Sequence, residues 1–178
     1  MRLFTAIDIT PEIEDHLTTL LNHLRPLAKI TWSPPKNMHI TTKFIGEWPE
    51  DRVPELQRIL AGAGSPGPIP IAVRNLGWFP NPRHPRVFWA GVEGGKPLET
   101  LAHATEDALH TIGVPREERK YSPHLTLARI RESVPLDPLR RAIDSLPSTD
   151  FGSFEATVFY LYLSRGGKYT KLADFTLT

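Results

Sequence analysis

His39-Ile40-Thr41-Thr42-Lys43-Phe44-Ile45-Gly46 and, later in the chain, His124-Leu125-Thr126-Leu127-Ala128-Arg129-Ile130 are the stretches on which the fold turns. Both alternate, are rich in β-branched residues and read as strands, and both carry His-x-Thr. Working outward, the same order of elements surrounds each of them. In the first half, residues 2–8 form a strand, and Thr10-Pro11 gives an N-cap followed by proline at the first helical position. Ile13, Leu17, Leu20, Leu21 and Leu24 then recur at helical spacing until Pro26. A short strand at 30–32 precedes the histidine strand, 38–45. Val53, Leu56, Ile59 and Leu60 make a helix, the breaker stretch 62–70 ends it, and a strand covers 69–79. The second half restarts with a strand at 86–92. Pro97 opens a helix marked by Leu98, Leu101, Ala102, Leu109 and Ile112, and Gly113 stops it as a C′ glycine. The histidine strand is 124–130, Asp137-Pro138 caps a helix with Leu139, Ile143 and Leu146, and a strand runs over 154–164. Gly166-Gly167 turns a hairpin into a last strand, 169–177.

The halves also agree in distance. Phe4 to His39 is 35 residues and Phe88 to His124 is 36, while Val53-Pro54 and Val134-Pro135 stand at comparable points after the two histidines. Shared order and shared spacing together argue for an internal duplication. Helices packed on one face of a mostly antiparallel sheet give an α+β, ferredoxin-like unit. The chain of 178 residues is read as one domain, 1–178, with internal halves of about 1–80 and 81–178.

Composition narrows the chemistry. Hydrophobic residues make up 40%, charged residues 23%, and the formal net charge is +1. Such a chain is globular, and it lacks the positive field of a protein that coats duplexes. The basic residues are 14 Arg and 7 Lys, and Arg is the better fork for phosphate oxygens. The absence of cysteine removes disulfides, thiolate metal sites and a Cys nucleophile. No apolar run approaches the ~20 residues that cross a bilayer, and the charged start does not read as a signal peptide. The expected setting is therefore the cytoplasm, without membrane contact, and the expected state is a monomer. Proline, 18 of 178, is about twice its usual ~5% and marks the boundaries of short elements.

A single His-x-Thr in a strand is most often a core histidine. Two copies at equivalent places are different. Strand side chains alternate, so His39 and Thr41 share one face, as do His124 and Thr126, while Ile40 and Leu125 point to the core. A pseudo-twofold axis would set the two His-Thr pairs across one cleft. That arrangement suits phosphodiester cleavage without a metal or cofactor. One neutral imidazole takes a proton from water, and one protonated imidazole gives a proton to the leaving oxygen. The threonine hydroxyls donate to non-bridging oxygens, where transition-state charge gathers. Arg129 would add a charge-assisted bond, provided that a bulge or strand end turns it back toward His124. Lys43, two residues past Thr41, is expected to continue the cleft face and add positive potential.

With these motifs in view, the sequence resembles the 2H phosphoesterase superfamily along nearly its whole length. It is most similar in pattern to the bacterial and archaeal RNA 2′,3′-cyclic phosphodiesterases, historically called 2′-5′ RNA ligases. The two tetrads carry the resemblance, with the lead-in Trp32-Ser33-Pro34-Pro35-Lys36-Asn37-Met38 and the segments Gly77-Trp78-Phe79-Pro80, Pro85-Arg86-Val87-Phe88-Trp89-Ala90-Gly91, Tyr121-Ser122-Pro123 and Leu161-Tyr162-Leu163-Ser164 to Tyr169. The resemblance implies a bilobal pair of pseudo-twofold-related ferredoxin-like modules around a central cleft. It implies hydrolysis of a 2′,3′-cyclic phosphate to a 2′-phosphomonoester, on RNA ends or small cyclic nucleotides. By motif position His39 would be the proton donor to O3′, His124 the proton acceptor that activates water, and Thr41 and Thr126 the phosphate holders. The first tetrad departs from the family, ending in Thr42 where Leu is usual; this position faces away from the cleft and bears on packing.

Other features read more plainly. His16 with His23, and His103 with His110, lie on solvated helix faces and lack a third ligand. Gly94-Gly95-Lys96 is not a Walker loop, because Ala90 and Pro97 stand where its glycine and Ser/Thr belong. Trp78, Phe79 and Trp89 are candidates for base stacking, Phe79 foremost beside its proline turn, and Tyr121 is a further candidate nucleotide contact. Arg83-His84-Pro85-Arg86 is a basic loop able to meet an RNA backbone. Two other function classes stay open: an ATP-independent 2′-5′ ligase, and a non-catalytic oligonucleotide-binding module, which two intact His-x-Thr pairs disfavour.

Overall fold

The computed structural model describes residues 1–178. Strand β1 (Arg2–Asp8) has both faces covered, with Leu3 to Ile7 all buried. Helix α1 (Pro11–Leu24) begins as its sequence requires: Thr10 caps it, accepting from the Ile13 N–H at 3.3 Å, and Ile13, Leu17, Leu20, Leu21 and Leu24 are its buried stripe. A two-residue strand, β2 (Thr31–Trp32), precedes the first histidine strand, β3 (His39–Glu47). Helix α2 (Val53–Gly62) and strand β4 (Ile69–Phe79) follow. The second half supplies β5 (Val87–Glu93), α3 (Gly95–His110), the second histidine strand β6 (His124–Arg129), α4 (Asp137–Asp144), β7 (Asp150–Ala156), β8 (Val158–Arg165) and β9 (Lys168–Thr176).

These strands make two antiparallel sheets, in the orders β3-β1-β8-β9 and β2-β6-β5-β4-β7. The histidine strands occupy equivalent places: β3 pairs with β1 as β6 pairs with β5. The flanking strands are exchanged, however. β1 takes β8 from the second half as its other neighbour, and β5 takes β4 from the first. The sequence halves are thus interleaved in space, each contributing strands to both sheets. One hydrophobic core, including Leu3, Leu17, Leu56, Phe88, Leu125 and Leu161, runs through both, each such side chain contributing about 1.5–3 kcal/mol on burial.

Two sequence readings change. The single strand expected over 154–164 is two strands, β7 in one sheet and β8 in the other, with only Thr157 between them. No glycine or proline stands between residues 153 and 165 to mark the switch, so the run reads as one strand. Asp137 is the first residue of α4 and not its cap; Leu136 occupies the cap position without a side-chain bond.

Candidate active site

The two histidine strands are bulged at the same place. Along β3, Ala6 is opposite Thr41 and Thr5 is opposite Lys43, so Thr42 is the extra residue. Along β6, Trp89 is opposite Thr126 and Phe88 is opposite Ala128, so Leu127 is the extra residue. A bulge resets the alternation of every residue beyond it. Arg129 accordingly returns to the cleft face, which strict alternation denied it. The same reset corrects the reading of Lys43. Its side chain is 5% exposed, and its ammonium donates to Glu106 at 3.2 Å and to the Pro115 carbonyl at 2.9 Å. It is a buried clasp between β3 and the α3 region, and Phe44 takes the cleft-facing place expected of it.

His39, Thr41, His124, Thr126 and Arg129 line one cleft of about 360 Å³ between the sheets, together with Phe44 and Tyr169. The two imidazoles are held alike. His39 Nδ1 lies 2.9 Å from the Asn37 carbonyl and His124 Nδ1 lies 2.8 Å from the Ser122 carbonyl, each two residues back. A carbonyl only accepts, so Nδ1–H is the donor in both rings, and both Nε2 atoms are left for chemistry. The second sides of the rings differ. His39 sits among Tyr162, Tyr169 and Phe4, with centroids at 4.5, 5.5 and 6.2 Å. His124 meets Phe79 edge-on at 5.0 Å, and Phe79 in turn leans on Trp89 at 5.1 Å. Trp89 lies across Gly77, where a Cβ would fall 2.1 Å from the indole ring. The glycine is what allows this aromatic backing to reach His124.

Electrostatics separate the histidines further. Burial holds both below the ordinary histidine value, as the larger effect in each case. At His39 the Asp8 carboxylate, 3.7 Å from Nε2, pushes the other way, while Lys171 weakly adds to the lowering. At His124 the bond to the Ser122 carbonyl raises the value, and the Arg129 guanidinium lowers it. Asp8 is itself held by Lys171 at 2.7 Å and by the Tyr162 hydroxyl. With its nearest carboxylate so engaged, the cleft presents hydroxyls, imidazoles and a guanidinium, a donor set suited to an anion.

The remaining candidates divide. Phe79 lies beside His124. Tyr121 gives its hydroxyl to the Thr41 carbonyl at 2.9 Å, bridging the sheets, and burial pushes its phenol well above the usual range. Trp78 packs on Phe88 at 4.7 Å under the Arg140 guanidinium, away from the cleft. Arg86 lines a second, larger groove of about 1200 Å³ that opens from the His124 side. His16 meets the Phe151 carbonyl at 2.7 Å, fastening α1 to β7. Sequence reasoning missed Asp8 and Phe44. The first becomes visible only through the β1–β3 register, and the second only through the bulge.

Residues 7–89 match the family of LigT-like phosphoesterases. An RNA 2′,3′-cyclic phosphodiesterase of Methanocaldococcus jannaschii is 34% identical over 92% of this chain and 91% of its own. Among solved structures, TT0787 of Thermus thermophilus is 28% identical with a TM-score of 0.82, covering 99% of this chain and 98% of that one. LigT of Escherichia coli, solved in complex with 3′-AMP, is 25% identical with a TM-score of 0.79 over the same shares. Twin bulged His-x-Thr strands across one cleft, an archaeal relative matched nearly end to end and these neighbours in structure agree: the chain belongs to the RNA 2′,3′-cyclic phosphodiesterase family of LigT-like 2H phosphoesterases.

Proposed function

We propose that this chain hydrolyses 2′,3′-cyclic phosphate ends of RNA, or small cyclic nucleotides, to 2′-phosphomonoesters, with side chains alone supplying the proton transfers. In this reaction His124 Nε2 takes a proton from water as the water oxygen bonds to phosphorus. The P–O3′ bond breaks, and O3′ receives the proton carried on His39 Nε2. Thr41, Thr126 and Arg129 hold the non-bridging oxygens as charge builds on them. The observation that carries the proposal is the shared tether: both Nδ1–H groups are bound to carbonyls, so both Nε2 atoms are presented from opposite strands to one small cleft. The unequal surroundings support the division of roles. Asp8 favours a protonated His39, and Arg129 favours a neutral His124. Acid and base on opposite walls fix the line of attack, so a single oxygen leaves.

The test is to incubate the protein with adenosine 2′,3′-cyclic monophosphate and with an oligonucleotide ending in a cyclic phosphate, and to identify products by phosphorus NMR against authentic standards. Adenosine 2′-monophosphate is the expected product. A dominant 3′-phosphate would reverse the substrate in the cleft and exchange the two histidine roles; no turnover of either substrate would refute the hydrolytic reading. A 5′-hydroxyl oligonucleotide added in a parallel arm reports 2′-5′ joining.

A further inference from the structure

We propose that Tyr162 and Lys171 are positioning residues for the proton donor: together they hold the Asp8 carboxylate one step short of His39, near enough to favour a charged imidazole and too far to take its Nε2 proton. The proposal deepens the functional reading above and rests on it for the role of His39 as donor.

Asp8 and His39 stand directly opposite each other in the β1–β3 ladder, so a direct ion pair between them is within reach. Such a bond closes to about 2.7–2.9 Å. Asp8 Oδ1 instead stops 3.7 Å from His39 Nε2. Both carboxylate oxygens are engaged elsewhere. The Tyr162 hydroxyl donates to Oδ1, the oxygen that faces the imidazole, and the Lys171 ammonium lies 2.7 Å from Oδ2. Tyr162 is 3% exposed and stacked on Phe4 at 5.2 Å, which fixes where its hydroxyl stands. A third bulge places the lysine. Leu161 is opposite Ala173 and Tyr162 is opposite Lys171, so Leu172 is the extra residue of β9. Without it Leu172 would stand opposite Tyr162, and Lys171 would turn to the other face of the sheet. The Tyr160 ring, its centroid 4.0 Å from Nζ, steadies the ammonium further.

Both restraints keep their protons. Burial, and then the bond to Asp8, push the Tyr162 phenol far above its ordinary range, and the bond to Asp8 raises the Lys171 ammonium. The other charged and titratable groups nearby leave the arrangement alone. Tyr169 meets His39 through its ring. Glu14 of α1, and Lys36 just before β3, line the pocket of about 490 Å³ on which Asp8 and Lys171 also open. Arg2, Arg129 and His124 line the catalytic cleft on the other side of His39. Besides His39, only Tyr162 and Lys171 pair with the Asp8 carboxylate. A free carboxylate in this place would close on Nε2 and hold the proton that O3′ has to receive. It would charge the donor and disarm it at once; the two restraints separate those effects.

The experiment measures pH profiles of adenosine 2′,3′-cyclic monophosphate hydrolysis for the parent, Tyr162→Phe, Lys171→Met, Asp8→Asn and the Tyr162→Phe/Asp8→Asn double variant. Tyr162→Phe keeps the buried ring, and Lys171 is half exposed, so neither change removes core packing. Releasing either restraint lets Asp8 approach, and His39 then keeps its proton to higher pH. The basic limb of kcat/KM should move up in both variants, opposite to its movement in Asp8→Asn. On the plateau kcat should fall by about 10- to 150-fold, the usual worth of one hydrogen bond to a charged group. Once Asp8 is asparagine, adding Tyr162→Phe should change neither quantity. A basic limb that stays or moves down in both restraint variants overturns the proposal, and so does a kcat loss from Tyr162→Phe that persists without the carboxylate. Nitrogen-15 NMR of the histidine side chains follows the same titration without turnover, and the His39 midpoint should rise in both restraint variants; an unmoved midpoint overturns the proposal. A chain that turns over no cyclic phosphate, yet shows that rise, keeps the restraint and refutes the hydrolytic reading alone.

Discussion

Thr42 stands where the second tetrad has Leu127, and the structure shows what accompanies it. Its side chain is 4% exposed, and its hydroxyl meets only that of Thr5, fully buried on β1, at 2.6 Å. Each hydroxyl is the other's sole partner, so removing one leaves the other buried and unbonded. Valine, the obvious isostere, is unsuitable here. A separation of 2.6 Å suits two oxygens sharing a proton, whereas carbon atoms need about 3.5–4.0 Å. Alanine is the clean probe. Thr5→Ala or Thr42→Ala alone should cost about 2–4 kcal/mol, combining an orphaned hydroxyl at about 1–3 kcal/mol with about 0.8 kcal/mol for the lost methyl. The double variant orphans nothing, and keeps only the packing loss and some cavity cost, about 2–3 kcal/mol. Singles and double should therefore be strongly non-additive. Urea unfolding followed by tryptophan fluorescence and far-ultraviolet circular dichroism measures the cycle; each kcal/mol also moves Tm by about 2–4 °C in a chain of this size. If the double equals the sum of the singles within about 0.5 kcal/mol, the two hydroxyls do not depend on each other and the reasoning fails.

The catalytic assignments make further demands. His39→Ala and His124→Ala should each lower turnover at least about 100-fold with little change in Tm, as is usual for acid–base groups; a variant that keeps most of its activity removes that histidine from the mechanism. Thr41→Ala and Thr126→Ala should be milder and partly expressed in KM. The pH profile of kcat/KM should be bell-shaped, with limbs belonging to the coupled pair. Asp8 raises His39, so Asp8→Asn should let the proton donor deprotonate earlier and move the basic limb to lower pH. Arg129 lowers His124, so Arg129→Met should let the base protonate earlier on acidification and move the acidic limb to higher pH. Movement of either limb in the opposite sense would detach that residue from its histidine. Activity should also survive exhaustive chelation, and loss restored by added divalent metal would end the side-chain-only mechanism.

Periodicity located most elements, because helices here bury one stripe and strands end at proline or glycine. The strand over 69–79 and the Gly166-Gly167 hairpin came from local signals of that kind. His39, Thr41, His124 and Thr126 were legible for the same reason: period two puts both members of each pair on one face. What was hidden depends on pairing. The β7-to-β8 switch at Thr157 exchanges strands between sheets with no glycine or proline to mark it. The bulges at Thr42 and Leu127 exist only relative to β1 and β5, and no single-strand pattern announces them. They turned Lys43 inward, brought Arg129 back to the cleft and exposed Phe44.

The same register explains how a nearly symmetric scaffold serves an asymmetric reaction. Opposite His39 in the β1–β3 ladder stands Asp8; opposite His124 in the β5–β6 ladder stands Gly91. A side chain cannot be added at Gly91 freely, since a Cβ there would lie 2.5 Å from the Arg74 carbonyl oxygen. One histidine therefore has a carboxylate beside it and the other cannot acquire one at the equivalent place. Beyond the bulges the contrast reverses, with Phe44 on the His39 strand and a cation, Arg129, on the His124 strand. Both differences act in the same direction. Negative charge near His39 favours its proton, and positive charge near His124 opposes one. Equal tethers at Nδ1 give the two rings the same geometry, so their roles in the proposed hydrolysis are set by these neighbours. Exchanging the neighbours' charges, and not the histidines themselves, is the change that should exchange donor and acceptor.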